Sequence, residues 1–245
     1  MPIKKRLFLV SLAIIGLASI LILLFSPRLM TSKKNIITPA WKEEFISGYR
    51  AGGSVIPDGW KLVKKPGTKS AVFLVRRDLQ GNTSFLHMES DKASASLLID
   101  IDGFDLQKEP ILRWRWRAGV LPDKADGRIK SKDDQAIAIY VGTGGVVNNK
   151  SVSYRWDTET PKGARGNCTY GLGTRKIKWH TLRNKFDSKD GQWFIEERNV
   201  VEDFKKAWGF YPDRIYLAVS CNSQYTGSRA SADLDWIEFT SAYKK

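Results

Sequence analysis

The chain has 245 residues, 42% of them hydrophobic and 27% charged, a composition that excludes a disordered tail, a collagen and a coiled-coil rod. Lys and Arg number 40 against 26 Asp and Glu, while two His, two Cys and three Met leave little material for a histidine-rich metal centre. Six of the basic residues and no acidic residue precede Asn35, so the remainder carries 34 basic against 26 acidic residues, a net charge of +8.

Lys4, Lys5 and Arg6 lead into the uncharged run 7–25, LFLVSLAIIGLASILILLF. As a helix at ~1.5 Å per residue these 19 residues reach ~28 Å, close to the ~30 Å hydrocarbon core of a bilayer. A cleaved signal peptide more often has an apolar stretch of ~7–15 residues and a small-residue site after it. Ser26-Pro27-Arg28-Leu29-Met30 offers no such site, so an uncleaved anchor is favoured over a cleaved signal. A buried soluble helix is disfavoured because the run is apolar on every side. The two flanks tie, with Lys4, Lys5 and Arg6 against Arg28, Lys33 and Lys34. The very short basic tail carrying the α-amino group nevertheless favours an inside N-terminus, since long domains translocate largely regardless of charge. The expected organisation is a cytoplasmic tail at 1–6, a transmembrane signal anchor at 7–25, a linker at 26–40, and a domain at 41–245. That domain would lie on the periplasmic or outer side of a bacterial cytoplasmic membrane.

Within the domain, short alternating segments predict strands at 71–76, 84–89, 95–102, 111–117, 135–141, 152–156, 177–182, 193–198, 215–221 and 234–240. Turn residues separate them, among them Gly81-Asn82, Gly103, Pro122-Asp123, the 142–145 stretch, Asp190-Gly191 and Pro212-Asp213. One helix is predicted over 201–208, with Val201, Phe204 and Trp208 on one side, Asn199 as its cap and Gly209 as its stop. The fold class is therefore mainly β: an antiparallel β-sandwich with one short helix, preceded by a single transmembrane helix. No repeated βαβ unit supports a dinucleotide-binding or P-loop fold. The glycines of 142–145 read as a hairpin turn, because neither Lys-Ser/Thr nor a helix follows.

The segment Leu112-Arg113-Trp114-Arg115-Trp116-Arg117 puts Leu112, Trp114 and Trp116 on one side of a strand and the three Arg on the other. The favoured reading packs both Trp in the core and pairs the Arg row with carboxylates of a neighbouring strand, Asp133 and Asp134 being natural partners. The sharper one makes the row the floor of a cleft, where guanidinium forks meet anionic or polyhydroxyl ligands. Tyr154 and Trp156 share one side of a strand with Arg155 on the other, and exposed aromatic rings would suit a sugar. If the domain binds a ligand, the expected set is Arg113, Arg115, Asp133, Asp134, Tyr154 and Trp156.

Catalysis has less support. His87 and His180 lie in strands with no Gly-x-Ser-x-Gly turn anywhere. Asp233 and Asp235 would project from one side of the last strand ~6.5–7 Å apart, a spacing open to acid and base roles on a glycoside, although any Asp-x-Asp strand gives it. Asp100, Asp102 and Asp105 are weak calcium candidates, their spacing departing from an EF-hand loop, and no other cofactor is expected. Cys168 and Cys221, 53 residues apart, could form one disulfide contributing on the order of 4 kcal/mol, or stand as two buried thiols.

The order LRWRWRAG, KDDQAIAIYV, SYRW, QWFIEERNVVEDFKKAWG and DLDWIEF resembles the bacterial domain-of-unknown-function family 3047 across 41–239. The resemblance implies an exported β-sandwich of the galactose-binding-like or jelly-roll kind, and no activity. Where the family leads one to expect an Asp-rich turn, this chain has Ser220-Cys221-Asn222-Ser223-Gln224. The functional expectation is a membrane-anchored, non-catalytic domain recognising an anionic or neutral envelope glycan. The alternatives are an accessory subunit of a membrane protein complex and a polysaccharide-cleaving enzyme. The +8 charge favours anionic partners, and nucleic acid is not expected for an exported domain.

Overall fold

In the computed structural model the described residues are 39–78, 83–103, 105–145, 148–188 and 191–242. The segment read as an anchor, most of the linker and the predicted turn residues Gly81, Asn82 and Asp190 lie outside them. Among the described residues no helix is long and apolar enough to cross a membrane.

The chain lays down β1 (Trp41–Glu43), β2 (Gly48–Ala51), β3 (Ser54–Pro57), β4 (Lys61–Lys64), β5 (Val72–Arg77), β6 (Ser84–Asp91), β7 (Ser94–Ile101) and β8 (Ile111–Val120). Next come β9 (Gln135–Thr143), β10 (Asn149–Trp156), β11 (Arg165–Tyr170), β12 (Arg175–Arg183) and β13 (Phe194–Asn199). Helix α1 (Val200–Trp208) then leads to β14 (Ile215–Asn222) and β15 (Arg229–Thr240). The helix forms as its sequence predicts: Asn199 Oδ1 accepts from the Glu202 backbone N–H at 3.1 Å, and Gly209 closes it at φ 80°.

Six strands make one sheet in the order β13-β8-β15-β6-β5, with β1 also beside β15. Seven make the other, β11-β12-β10-β9-β14-β7-β4, and β2 and β3 form a separate hairpin. The expected antiparallel sandwich needs one correction, because β10 and β12 run parallel. From β10 the chain crosses to the sheet edge as β11, then turns back as β12 into the gap between β11 and β10.

Alternation sorts each strand into an inner and an outer side. Leu112, Trp114 and Trp116 of β8 and Val152, Tyr154 and Trp156 of β10 all join the core between the sheets. Trp114 stacks on Tyr154 at 5.2 Å, and Trp116 meets Trp156 edge-on at 5.6 Å. Such aromatic pairs contribute about 0.5–1.5 kcal/mol each beyond burial, so the rings clamp the two sheets together. The sandwich leaves two outer sheet sides, and these differ in chemistry.

Candidate functional site

The outer side of the six-stranded sheet carries the Arg row. Arg113 Nη1 donates to Glu238 at 3.0 Å, Arg115 Nη1 to Asp235 at 2.7 Å, and Arg117 Nε to Asp233 at 2.6 Å. His87 Nδ1 closes on Asp233 at 2.5 Å, and Trp193 lies against the guanidinium groups of Arg115 and Arg117. The pairing reading of the row is therefore correct, but its partners come from β15 rather than from Asp133 and Asp134. Arg113 and Arg115 are withdrawn from the ligand set because their charges are already met. Asp233 and Asp235 leave the catalytic candidates for the same reason: each is buried and held by a guanidinium.

Tyr154 and Trp156 are corrected as well. Both side chains face inward against Trp114 and Trp116, and the Tyr154 hydroxyl donates to Asp203 of α1 at 2.9 Å. The parity that buries them turns Ser151, Ser153 and Arg155 outward, onto the seven-stranded sheet's outer side. There an open cleft of about 810 Å³ lies across the strands.

Cross-strand register explains its depth. In one ladder Trp179 of β12 neighbours Ser153 of β10, which neighbours Tyr140 of β9, then Ala218 of β14 and Leu98 of β7. The next ladder runs through Ile177, Ser151, Gly142, Tyr216 and Asp100. In the middle strands the small residues Ser151, Ser153, Gly142 and Ala218 thus sit beside Tyr140 and Tyr216. Glycine also seats the aromatic rings: a methyl group at Gly142 would lie 2.1 Å from Tyr216 Cζ, and one at Gly166 2.2 Å from Trp179 Cζ2. Only glycine lets those rings lie flat on the neighbouring backbone. Tyr140, Tyr170, Tyr216, Tyr225 and Trp179 all line the cleft.

Asp133 and Arg155 meet in the floor, with Arg155 Nη2 2.6 Å from Asp133 Oδ1 and Arg155 Nε donating to Asp157 at 3.0 Å. Burial opposes the charge on Arg155, but Asp157 and Asp133 outweigh it and raise its pKa above the usual guanidinium value. Gln135 and the Tyr170 hydroxyl also donate to Asp133. Burial pushes the Tyr140 hydroxyl and the Cys168 thiol up to about 12 and raises Tyr170 and Tyr216 too. These groups are protonated hydrogen-bond partners near neutral pH. The buried Ser153 Oγ and Trp179 Nε1 on this side have no hydrogen-bond partner among the described residues.

Of the expected ligand set, Asp133 alone lines the cleft. Asp134 is buried and instead accepts from the Thr226 backbone N–H at 2.7 Å and the Thr226 hydroxyl at 2.9 Å, pinning the turn before β15. Cys168 and Cys221 are free thiols on opposite sides of the seven-stranded sheet, one lining the cleft and the other in the core, so a bridge between them is excluded. Asp100 pairs with Lys61 at 3.2 Å, Asp105 with Lys108 at 3.1 Å, and Asp102 is exposed. No group of three or more metal-ligating side chains forms among the described residues, so the calcium candidates do not assemble. Tyr140, Ser151, Ser153, Arg155, Tyr170, Trp179 and Tyr216 escaped the sequence reading. The alternation of β10 groups Ser151, Ser153 and Arg155 on one side, but which side faces out, and which glycine meets which aromatic ring, depend on cross-strand pairing.

This is a β-sandwich whose open site is a polar, aromatic-lined cleft on one sheet. The chain belongs to the family described as protein of unknown function DUF3047, whose model matches residues 58–238. No curated protein matches it. Among solved structures it is similar to a thermostable cellulase derived from that of Rhodothermus marinus, at 10% identity and a TM-score of 0.42 over 74% of this chain and 92% of that one. A family 11 carbohydrate-binding module from Clostridium thermocellum, solved with a mixed-linked tetrasaccharide, gives 9% identity and a TM-score of 0.42 over 83% and 96%. A carbohydrate esterase of the Shiga toxin-encoding bacteriophage phi24B gives 15% identity and 0.35 over 76% and 91%. At these scores the likenesses carry no argument about ligand, which rests on this chain's own residues.

Proposed function

We propose that the domain is a non-catalytic glycan-binding module that uses the outer side of the seven-stranded sheet, tethered to the cytoplasmic membrane by residues 7–25 and displayed outside it. The single observation that carries this reading is the cleft. Flat aromatic rings offer apolar surface to sugar C–H groups, and Ser, Asn, Gln and Tyr edges supply the donors and acceptors that hydroxyls need. Ser153 and Trp179 add polar groups that the protein leaves unsatisfied, each costing about 1–3 kcal/mol until met. Turnover is disfavoured because the cleft's carboxylates are committed, Asp133 held by Arg155, Gln135 and Tyr170 and Asp100 by Lys61, and because Tyr140, Tyr170 and Cys168 keep their protons.

The test is calorimetric titration of the full chain in detergent with neutral and acidic envelope polysaccharides, followed by sizing of the polymers. Saturable heat with intact polymer is the expected result. Shortened polymer would make the protein an enzyme, and no heat with any polymer would favour the accessory-subunit reading.

A further inference from the structure

We propose that the cleft takes an acidic glycan, a chain bearing carboxylate or sulfate groups, laid across the strands so that cations hold it from both sides. This rests on the glycan-binding reading above and adds its charge class. The argument is one of leftover charge. Arg155 is spent on Asp133 and Asp157 beneath the floor, and Asp100 at the wall is balanced by Lys61.

Lys65 and Arg175 also line the cleft, are exposed, and have no carboxylate within ion-pairing distance among the described residues, whereas Lys64 shares a ladder with Ala95 and Cys221 and its ammonium lies beside Gly52. Lys65 has only the Tyr225 hydroxyl, at 3.2 Å. On the opposite side of the sandwich each arginine of β8 has an acidic partner.

The cations are placed to grip a chain. Lys65 directly follows β4 at one edge, while Arg175 opens β12, the second strand from the other edge. Five strand spacings of ~4.8 Å separate the two, about 24 Å along the sheet, which suits an oligosaccharide rather than a single sugar. The Lys65 ammonium offers a point charge, and the Arg175 fork matches the paired oxygens of a carboxylate or sulfate. The +8 charge from Asn35 onward draws such a polymer in from a distance.

The experiment titrates the full chain in detergent with polygalacturonate and alginate, with carrageenan as the sulfated probe, and with carboxyl-reduced polygalacturonate and a neutral β-glucan. At least one acidic polymer is expected to bind about tenfold or more tightly than the uncharged ones, and to weaken as salt rises from about 0.05 to 0.5 M. Binding of the uronate polymers alone assigns the rim to carboxylates, and of carrageenan alone to sulfate. Lys65→Gln, and separately Arg175→Gln, should each weaken acidic binding several-fold and leave neutral binding unmoved; both positions are exposed, so the fold is not at stake. Neutral polymers binding as tightly as acidic ones, indifferent to these substitutions, would overturn the acidic class and leave the glycan reading standing. No polymer binding at all would overturn both.

Discussion

The two outer sides of the sandwich are built from the same period-two alternation, yet one is closed and the other open. On the six-stranded sheet, long arginines meet carboxylates from the adjacent strand, and Trp193 covers two of the guanidinium groups. That surface asks nothing of a ligand. On the seven-stranded sheet the middle strands set Ser, Ala and Gly beside tyrosines, so aromatic rings lie down and a cleft opens. A row of charge in a sequence marks a site only when the neighbouring strand fails to answer it. A row of small residues flanked by aromatic ones is the better sign of an opening.

The most severe way to probe this contrast is to remove one arginine from each side. Arg155→Met leaves Asp133 and Asp157 buried without a cation and is expected to cost about 3–5 kcal/mol by urea denaturation. Arg115→Met, on a half-exposed pair, should cost about 1 kcal/mol and leave glycan binding unchanged. Equal costs would erase the distinction between a buried floor and a solvated surface network.

Gly142→Val is milder for the fold but sharper for the cleft. The new side chain collides with the Tyr216 ring and drives it into the cleft, at about 1–3 kcal/mol of overpacking. Glycan affinity should fall about tenfold or more in the same titration, a loss worth ~1.4 kcal/mol of binding free energy or more. A variant that binds normally would mean that the flat tyrosine is not part of the site.

His180 tests the layer beneath the cleft, where it meets Tyr154 edge-on at 6.0 Å. Burial lowers its pKa from 6.5 to about 4. Between those values the unfolded chain binds a proton that the folded chain refuses, so stability should fall as pH drops through that window and stay level above it. The wild-type unfolding free energy from urea titrations should fall accordingly, by on the order of 2 kcal/mol, while His180→Gln should show a flatter profile. The smallest effect concerns the thiols. Without reductant, denatured protein should titrate two free thiols per chain, and native protein should resist alkylation at about pH 8, where Cys168 stays protonated.

Much of the sandwich was legible because β8, β9, β10, β14 and α1 combine alternation or helical spacing with strong caps and turns. Strands β1 to β4 are short, and β11, Arg165–Tyr170, has Gly166, Cys168 and Tyr170 on its cleft side, so neither presents an apolar alternation to read. The site was harder to see. In β10 the aromatic residues alternate with Ser151, Ser153 and Arg155, and nothing local says which side meets a second sheet. Composition pointed to Tyr154 and Trp156 as ligand platforms, whereas partner rings at Trp114 and Trp116 claim them for the core. Cross-strand register, invisible in one sequence, is what sets Gly142 beneath Tyr216 and Gly166 beneath Trp179.

The most direct test of where the ligand lies is hydroxyl-radical footprinting of the full chain with and without the polymer that titrates most tightly. Tyr140, Tyr170 and Tyr216 should lose reactivity when the polymer is bound, while Trp193 and Trp236, partly exposed on the other sheet, keep theirs. Protection of Trp193 and Trp236 with the cleft tyrosines unchanged would contradict the account and return the site to the arginine row.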